Sequence, residues 1–275
     1  AAPQGAGNYG AAPWLVRSYA VAVVPSVRAF ADLRHAAAPP KYGLGFFGVG
    51  NPVFAASVPK PDKAANDPCA ERRNLRAVVA QLPALPETAD ELRALGKSAG
   101  GPGAKILLGK AATKSAVSGG EMNGARLIAF ATHGLLPSDL VCEAEPALAL
   151  TPGPSNAPAD DGLLKASDIT ALHLDAALVI LSACNTAGAD GRLSGESLSG
   201  LVRAFFFAGG RNVLATHWEI PSKPTVELTT GTIQAAARNG GDWADGLREA
   251  QLKLLQNPAT AHPLFWGAFV LVGAG

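Results

Sequence analysis

The chain has 275 residues, of which 48% are hydrophobic and 16% charged, with a formal net charge of +1. That balance supplies apolar material for a substantial core and excludes a nucleic-acid or anionic-membrane binder that works through bulk charge. No run approaches about 18 uninterrupted apolar residues, so no membrane-spanning helix is predicted.

The opening segment, AAPQGAGNYGAAP, lacks the basic stretch followed by an apolar one that marks a signal peptide. The chain also begins without Met, so it is expected to be part of a longer or a processed protein. Short apolar runs then recur at 19–24, 44–50, 105–108, 126–132, 147–150, 178–182, 212–216 and 269–272. Their apolar residues are nearly continuous rather than alternating, as in strands buried on both faces of a mainly parallel sheet. Helical patterns lie between them at 71–81, 87–97, 196–208 and 242–256. The last is the clearest. Asp242 can cap it, and Trp243, Leu247, Ala250 and Leu254 share one face. Gly209 and Gly210 follow the helix before it, as a C-terminal stop would. Alternating strands and helices predict a layered α/β fold, and no internal repeat is visible. Two stretches read as loops, 58–69 and 151–161, and neither divides the chain into domains.

Three glycine motifs are decoys. Gly43-Leu44-Gly45-Phe46-Phe47-Gly48 matches a dinucleotide fingerprint, but that motif must open a helix, and Gly50-Asn51-Pro52 follows instead. It reads as a strand with small residues, with nucleotide binding as the minor alternative. The run from Gly103 to Lys110 resembles a phosphate loop but has Ala111 where Ser or Thr is needed. Gly195 to Gly200 resembles a hydrolase elbow with one residue too many.

Cys69, Cys142 and Cys184 are the only cysteines. An odd count argues against a disulfide scaffold and for a reducing compartment, so a cytoplasmic location is expected. No C-x-x-C or H-x-x-x-H pair occurs, and no metal or other cofactor is predicted.

Two segments carry chemistry. His133 ends the run RLIAFATHG, and Cys184 ends AALVILSAC, 51 positions later. This matches the interval described for caspase-type peptidases. Parallel strands that end side by side would bring the two together at a sheet edge, where α/β folds collect their chemistry. Only the thiolate is a good nucleophile, so a thiol needs a base beside it. Two readings of Cys184 stand at this point. Most free cysteines are small buried hydrophobes, yet this one follows its strand and precedes Asn185, Thr186, Ala187 and Gly188. His133 is a base or simply a polar residue at a strand exit. The backbone amides of Gly134 and Cys184 are the candidate oxyanion donors. His217, near the end of NVLATHW, is the rival base; His35 sits in a polar loop without special context, His173 faces solvent or packs, and His262 reads as structural.

Taken together, these segments resemble a CHAT domain, the caspase-like, separase-related cysteine peptidase module often found behind tetratricopeptide repeats. The resemblance runs in order through VVPSVRAF, FGVGNP, LPALPETADEL, ILLGKAAT, LIAFATHG, DGLLKASDI, LDAALVILSACNTA, GESLSGLVRAFFFAGGRNVLATHW and HPLFWGAFVLVG. It implies a caspase–hemoglobinase-like three-layer α/β sandwich as a single domain over 1–275, with a mostly parallel sheet between helices. It also implies a His133–Cys184 dyad, endopeptidase activity of a bacterial type against a protein substrate, and control by a repeat region or regulatory protein. The alternative is a catalytically silent interaction module on the same fold.

The chain departs from the family where Thr216 and His217 precede Trp218 in place of a small residue and Leu. The family's opening strand pair and any repeat region are also missing. Asp139, Asp190, His217, Trp218 and Glu219 are the candidate pocket residues, and Glu196 is a further acid nearby. An acid there would favour a basic substrate residue by charge complementarity; otherwise these acids are solvated loop charges, and Glu196 opens its helix.

Overall fold

The computed structural model describes residues 9–24, 26–28, 31, 42–54, 75–137, 139–140, 143–154, 160–182 and 194–275. Six strands form the central sheet: β1 (Leu44–Pro52), β2 (Ala104–Gly109), β3 (Ala125–Ala131), β7 (Leu178–Leu181), β8 (Asn212–Thr216) and β9 (Phe269–Gly273). Their order is β2-β1-β3-β7-β8-β9. All neighbours are parallel except β8 and β9, which pair antiparallel.

The near-continuous apolar runs are explained by burial on both faces. Along β3, Leu127, Ala129 and Ala131 join one core, while Ile128 and Phe130 join the other. Along β7, Leu178 and Ile180 face the first core, and Val179 and Leu181 the second. A period of two with both sets apolar is what helices on both faces demand.

One helical layer comprises α2 (Thr88–Ala99), α6 (Ser222–Arg238) and α7 (Trp243–Gln256). It delivers Leu92, Leu95, Leu228, Ile233, Leu247 and Leu254 to the sheet. The opposite layer includes α3 (Lys114–Ser118), α4 (Ala166–Thr170) and α5 (Ser194–Phe207), with Val117, Ile169, Leu201 and Phe205 buried. A short α1 (Leu75–Ala80) covers a small antiparallel sheet of β4 (Gly134–Leu135), β5 (Ala147–Ala149) and β6 (Leu163–Lys165), and α8 (Pro263–Trp266) precedes β9. No helix among the described residues is long and apolar enough to cross a membrane.

Several expectations change. The run at 19–24 forms no strand; it makes a single bridge from Val23 to Val272, with Val21 and Val23 half-exposed. The run at 147–150 is a strand of the small sheet rather than of the central one. The longest described helix, α6, falls where the sequence predicted none. All of the dinucleotide look-alike but Gly43 lies within β1 and no helix follows it directly, so the strand reading holds.

Two glycines set the spacing of the helical layer. A Cβ at Gly246 of α7 would stand 2.7 Å from the Thr232 carbonyl of α6, so the helices meet backbone to backbone. A Cβ at Gly50 would stand 2.7 Å from both Leu92 Cδ1 of α2 and the Ala131 carbonyl. Gly50→Ala is therefore expected to destabilise the fold by about 1–3 kcal/mol through overpacking. Calorimetry would show Tm falling by about 2–4 °C for each of those kcal/mol. An unchanged Tm would refute the close approach.

Candidate active-site cleft

The carboxyl ends of β3, β7 and β8 converge on a cleft of about 290 Å³. Its walls are Thr132 and His133 beyond β3, Ser182 beyond β7, Thr216 at the end of β8, the start of α2, and the turn leading into α6. This lies beside the switch in strand order at β1, since β2 flanks it on one side and β3 on the other.

His133 is held from several directions. Ala149 N donates to its carbonyl at 2.9 Å, and the neighbouring Thr132 hydroxyl donates to the Ala149 carbonyl. The small sheet thus fixes the chain as it leaves β3. The ring is only 4% exposed on a whole-residue basis and packs 5.4 Å from the Phe54 ring, centroid to centroid. Its Nε2 lies 2.8 Å from the carbonyl oxygen of Pro83. A carbonyl can only accept, so Nε2 carries a proton and Nδ1 is the ring nitrogen left to act as a base.

The lining is also acidic. Glu87 and Glu91 lie one turn apart at the start of α2, and Glu219 lines the cleft as well. Glu87 and Glu219 are exposed, whereas Glu91 is 3% exposed. Ser182 stands near enough to favour the charged form of the Glu91 carboxyl, but Oε1 has no hydrogen-bond partner among the described residues. Burial pushes the Glu91 carboxyl up to about 7, against the opposing effect of Ser182 and aided by the charge of Glu87. No lysine or arginine stands among the described residues of the lining.

Thr88 anchors this wall to the sheet. Its hydroxyl donates to the Leu85 carbonyl at 2.7 Å and accepts from Asn51 N at 2.8 Å, at the end of β1. Trp218 is fixed by donation from its indole N–H to the Leu264 carbonyl at 3.0 Å.

Of the residues singled out from the sequence, His133, Trp218 and Glu219 line the cleft. Gly134 is buried and begins β4 opposite Leu148. His217 does not line the cleft: it is exposed, and its amide donates to the Ala268 carbonyl at 2.9 Å. Asp139 does not line it either, because its carboxylate caps its own turn by accepting from Leu136 N at 2.8 Å. Cys184 and Asp190, with Cys69 and Cys142, lie outside the described residues, as does the side chain of Glu196. Among the described residues no group of three or more His, Cys, Asp and Glu side chains is placed to hold a metal ion.

Pro83 and Glu91 were missed. Any residue can offer a carbonyl, so Pro83 carries no sequence signal. Glu91 does carry one: it sits between Thr88 and Leu95 on the apolar face of α2, where a charge is out of place.

A mostly parallel six-stranded sheet between helical layers, with a cleft at its strand ends, defines a caspase-like α/β architecture. The chain belongs to the CHAT domain family, whose model matches residues 1–274. It is 32% identical over 112 residues to tetratricopeptide repeat protein 28 of Mus musculus, covering 41% of this chain and 4% of that protein. The Homo sapiens protein of the same name is 27% identical over 117 residues, covering 42% and 5%. The chain therefore matches only a small part of these relatives.

Proposed function

We propose that the protein is a cysteine endopeptidase that cleaves a protein substrate through a dyad of Cys184 and His133. The observation that carries this reading is the His133 ring. It is buried at the cleft, and its tautomer is set by the Pro83 carbonyl so that Nδ1 is the nitrogen able to take a proton. Ser182, two positions before Cys184, lines the same cleft.

In the reaction, Nδ1 takes the thiol proton and the thiolate attacks the scissile carbonyl carbon. The backbone amides of Gly134 and Cys184 receive the developing oxyanion, where one such donor contributes about 10²- to 10³-fold. The imidazolium returns its proton to the leaving amine, and the C–N bond breaks. Water, deprotonated by Nδ1, then hydrolyses the thioester and restores the thiol. The name of the two relatives supports a tetratricopeptide-repeat region as the controlling partner, in the same polypeptide or in another chain.

The test compares wild type with Cys184→Ala on an unstructured polypeptide, with and without an added repeat region, by gel electrophoresis. Wild type is expected to cut and the variant to be inert; equal cutting refutes the dyad. Alkylation of the thiol gives a second readout. An activated Cys184 reacts at pH 6–7, below the value of about 8.5 for a free thiol. Reaction only at alkaline pH would favour a silent interaction module.

A further inference from the structure

We propose that Glu91 determines the specificity of this cleft, selecting a lysine or arginine side chain of the bound polypeptide. The inference deepens the peptidase reading and rests on its assumption that a polypeptide enters here. It begins from an unsatisfied atom. Oε1 of Glu91 is buried and has no hydrogen-bond partner among the described residues, yet its residue lines an open cleft. A buried acceptor left unpaired is costly, so such an atom in a cleft wall is a place for a donor that arrives with a ligand.

Charge decides which donor. Glu87, Glu91 and Glu219 surround the space, and among the described lining residues no lysine or arginine offsets them. Low-dielectric walls focus such a field and raise the local concentration of cations. The exposed Glu87 and Glu219 stand at the rim, and Glu91 stands at the floor.

Shape agrees with a long side chain. At about 290 Å³ the cleft is at the small end of ligand pockets, which run from about 300 Å³ upward. It suits one side chain rather than a larger ligand. Leu85, Ile220, Pro221 and Trp218 supply apolar surface for methylene groups on the way to the carboxylate. An ammonium or guanidinium would reach Oε1, and Arg can add a second, parallel hydrogen bond. The pocket acid thus comes chiefly from α2, rather than from the loop acids that the sequence suggested.

The test is calorimetric binding of blocked peptides, acetyl-Ala-Ala-Xaa-amide, with Arg, Lys, citrulline or Met as Xaa. Binding is read on the whole chain carrying Cys184→Ser, so the result does not depend on cleavage. Arg and Lys peptides are expected to bind about 10- to 100-fold more tightly than citrulline, as a charge-assisted hydrogen bond allows. Glu91→Gln should abolish that preference. Equal affinity for Arg and citrulline in the parent overturns the proposal, as does an unchanged preference in Glu91→Gln.

Should Glu91→Gln not fold, Glu87→Gln combined with Glu219→Gln at the exposed rim is expected to cut the Arg preference about threefold to tenfold. No change there also counts against it. Cleavage by wild type without a cationic preference would sink this inference and leave the peptidase reading standing. Arg-selective binding without cleavage would do the reverse.

Discussion

Replacing His133 by Asn is expected to lower kcat/KM for peptide cleavage by about 10²- to 10⁴-fold, the usual contribution of a positioned acid–base. Asn keeps the polar character of the site and can donate to the Pro83 carbonyl, but it cannot take a proton near neutral pH. The loss should fall on kcat rather than KM, because His133 acts on the thiol and the leaving amine and not on substrate affinity. The same variant should move the alkylation midpoint of Cys184 up towards about 8.5. That shift separates a base from a merely structural histidine. A variant with full kcat, or an unmoved alkylation profile, would show that His133 is not the base. His217 is then the rival to test. Its exposed ring lies outside the cleft lining, so His217→Asn is expected to leave kcat/KM unchanged within about threefold.

Periodicity was a good guide wherever burial was two-sided. The runs at 44–50, 126–132, 178–182 and 212–216 all sit in the parallel body of the sheet, because only strands covered on both faces need to be apolar throughout. The same logic failed at 147–150, where a buried run belongs to a separate small sheet that pins His133. It also failed at α6, for a different reason. That helix buries Thr225, Thr229 and Thr232. A run of threonines has weak helix propensity and reads as polar. Each hydroxyl, however, donates to the carbonyl four residues back: Thr225 to Pro221, Thr229 to Thr225 and Thr232 to Leu228. Polar side chains satisfied within their own helix can face a core. For the cleft, a strand-end motif identified His133. The Pro83 carbonyl depends on how the loop before α2 docks, which no local pattern encodes, whereas Glu91 was marked only by its charge on an apolar helix face.

Glu91→Gln is expected to stabilise the protein by about 3 kcal/mol at pH 8 and by little at pH 4.5. In the folded protein the carboxyl is pushed from 4.5 up to about 7, chiefly by burial. A raised folded value means that the folded state holds its proton more tightly than the unfolded state. The associated stability is fully present below about 4.5, declines as pH rises, and is lost above about 7. The gap between those values corresponds to about 3 kcal/mol. Gln is close to isosteric and does not ionise, so it escapes this loss.

Urea unfolding of both proteins from pH 4.5 to 8 gives the check, because other titrating groups cancel in the difference. That difference should open over the interval from 4.5 to about 7. Parallel curves would mean that Glu91 is ionised without penalty and that its burial has been misread. The prediction bears on the cleft as well. A residue that costs stability at working pH, and that a neutral amide would relieve, is the kind of acid retained for binding rather than for folding. A cation at Oε1 would replace the proton and remove the cost, so an Arg peptide should protect wild type against unfolding above pH 7 and leave Glu91→Gln unaffected.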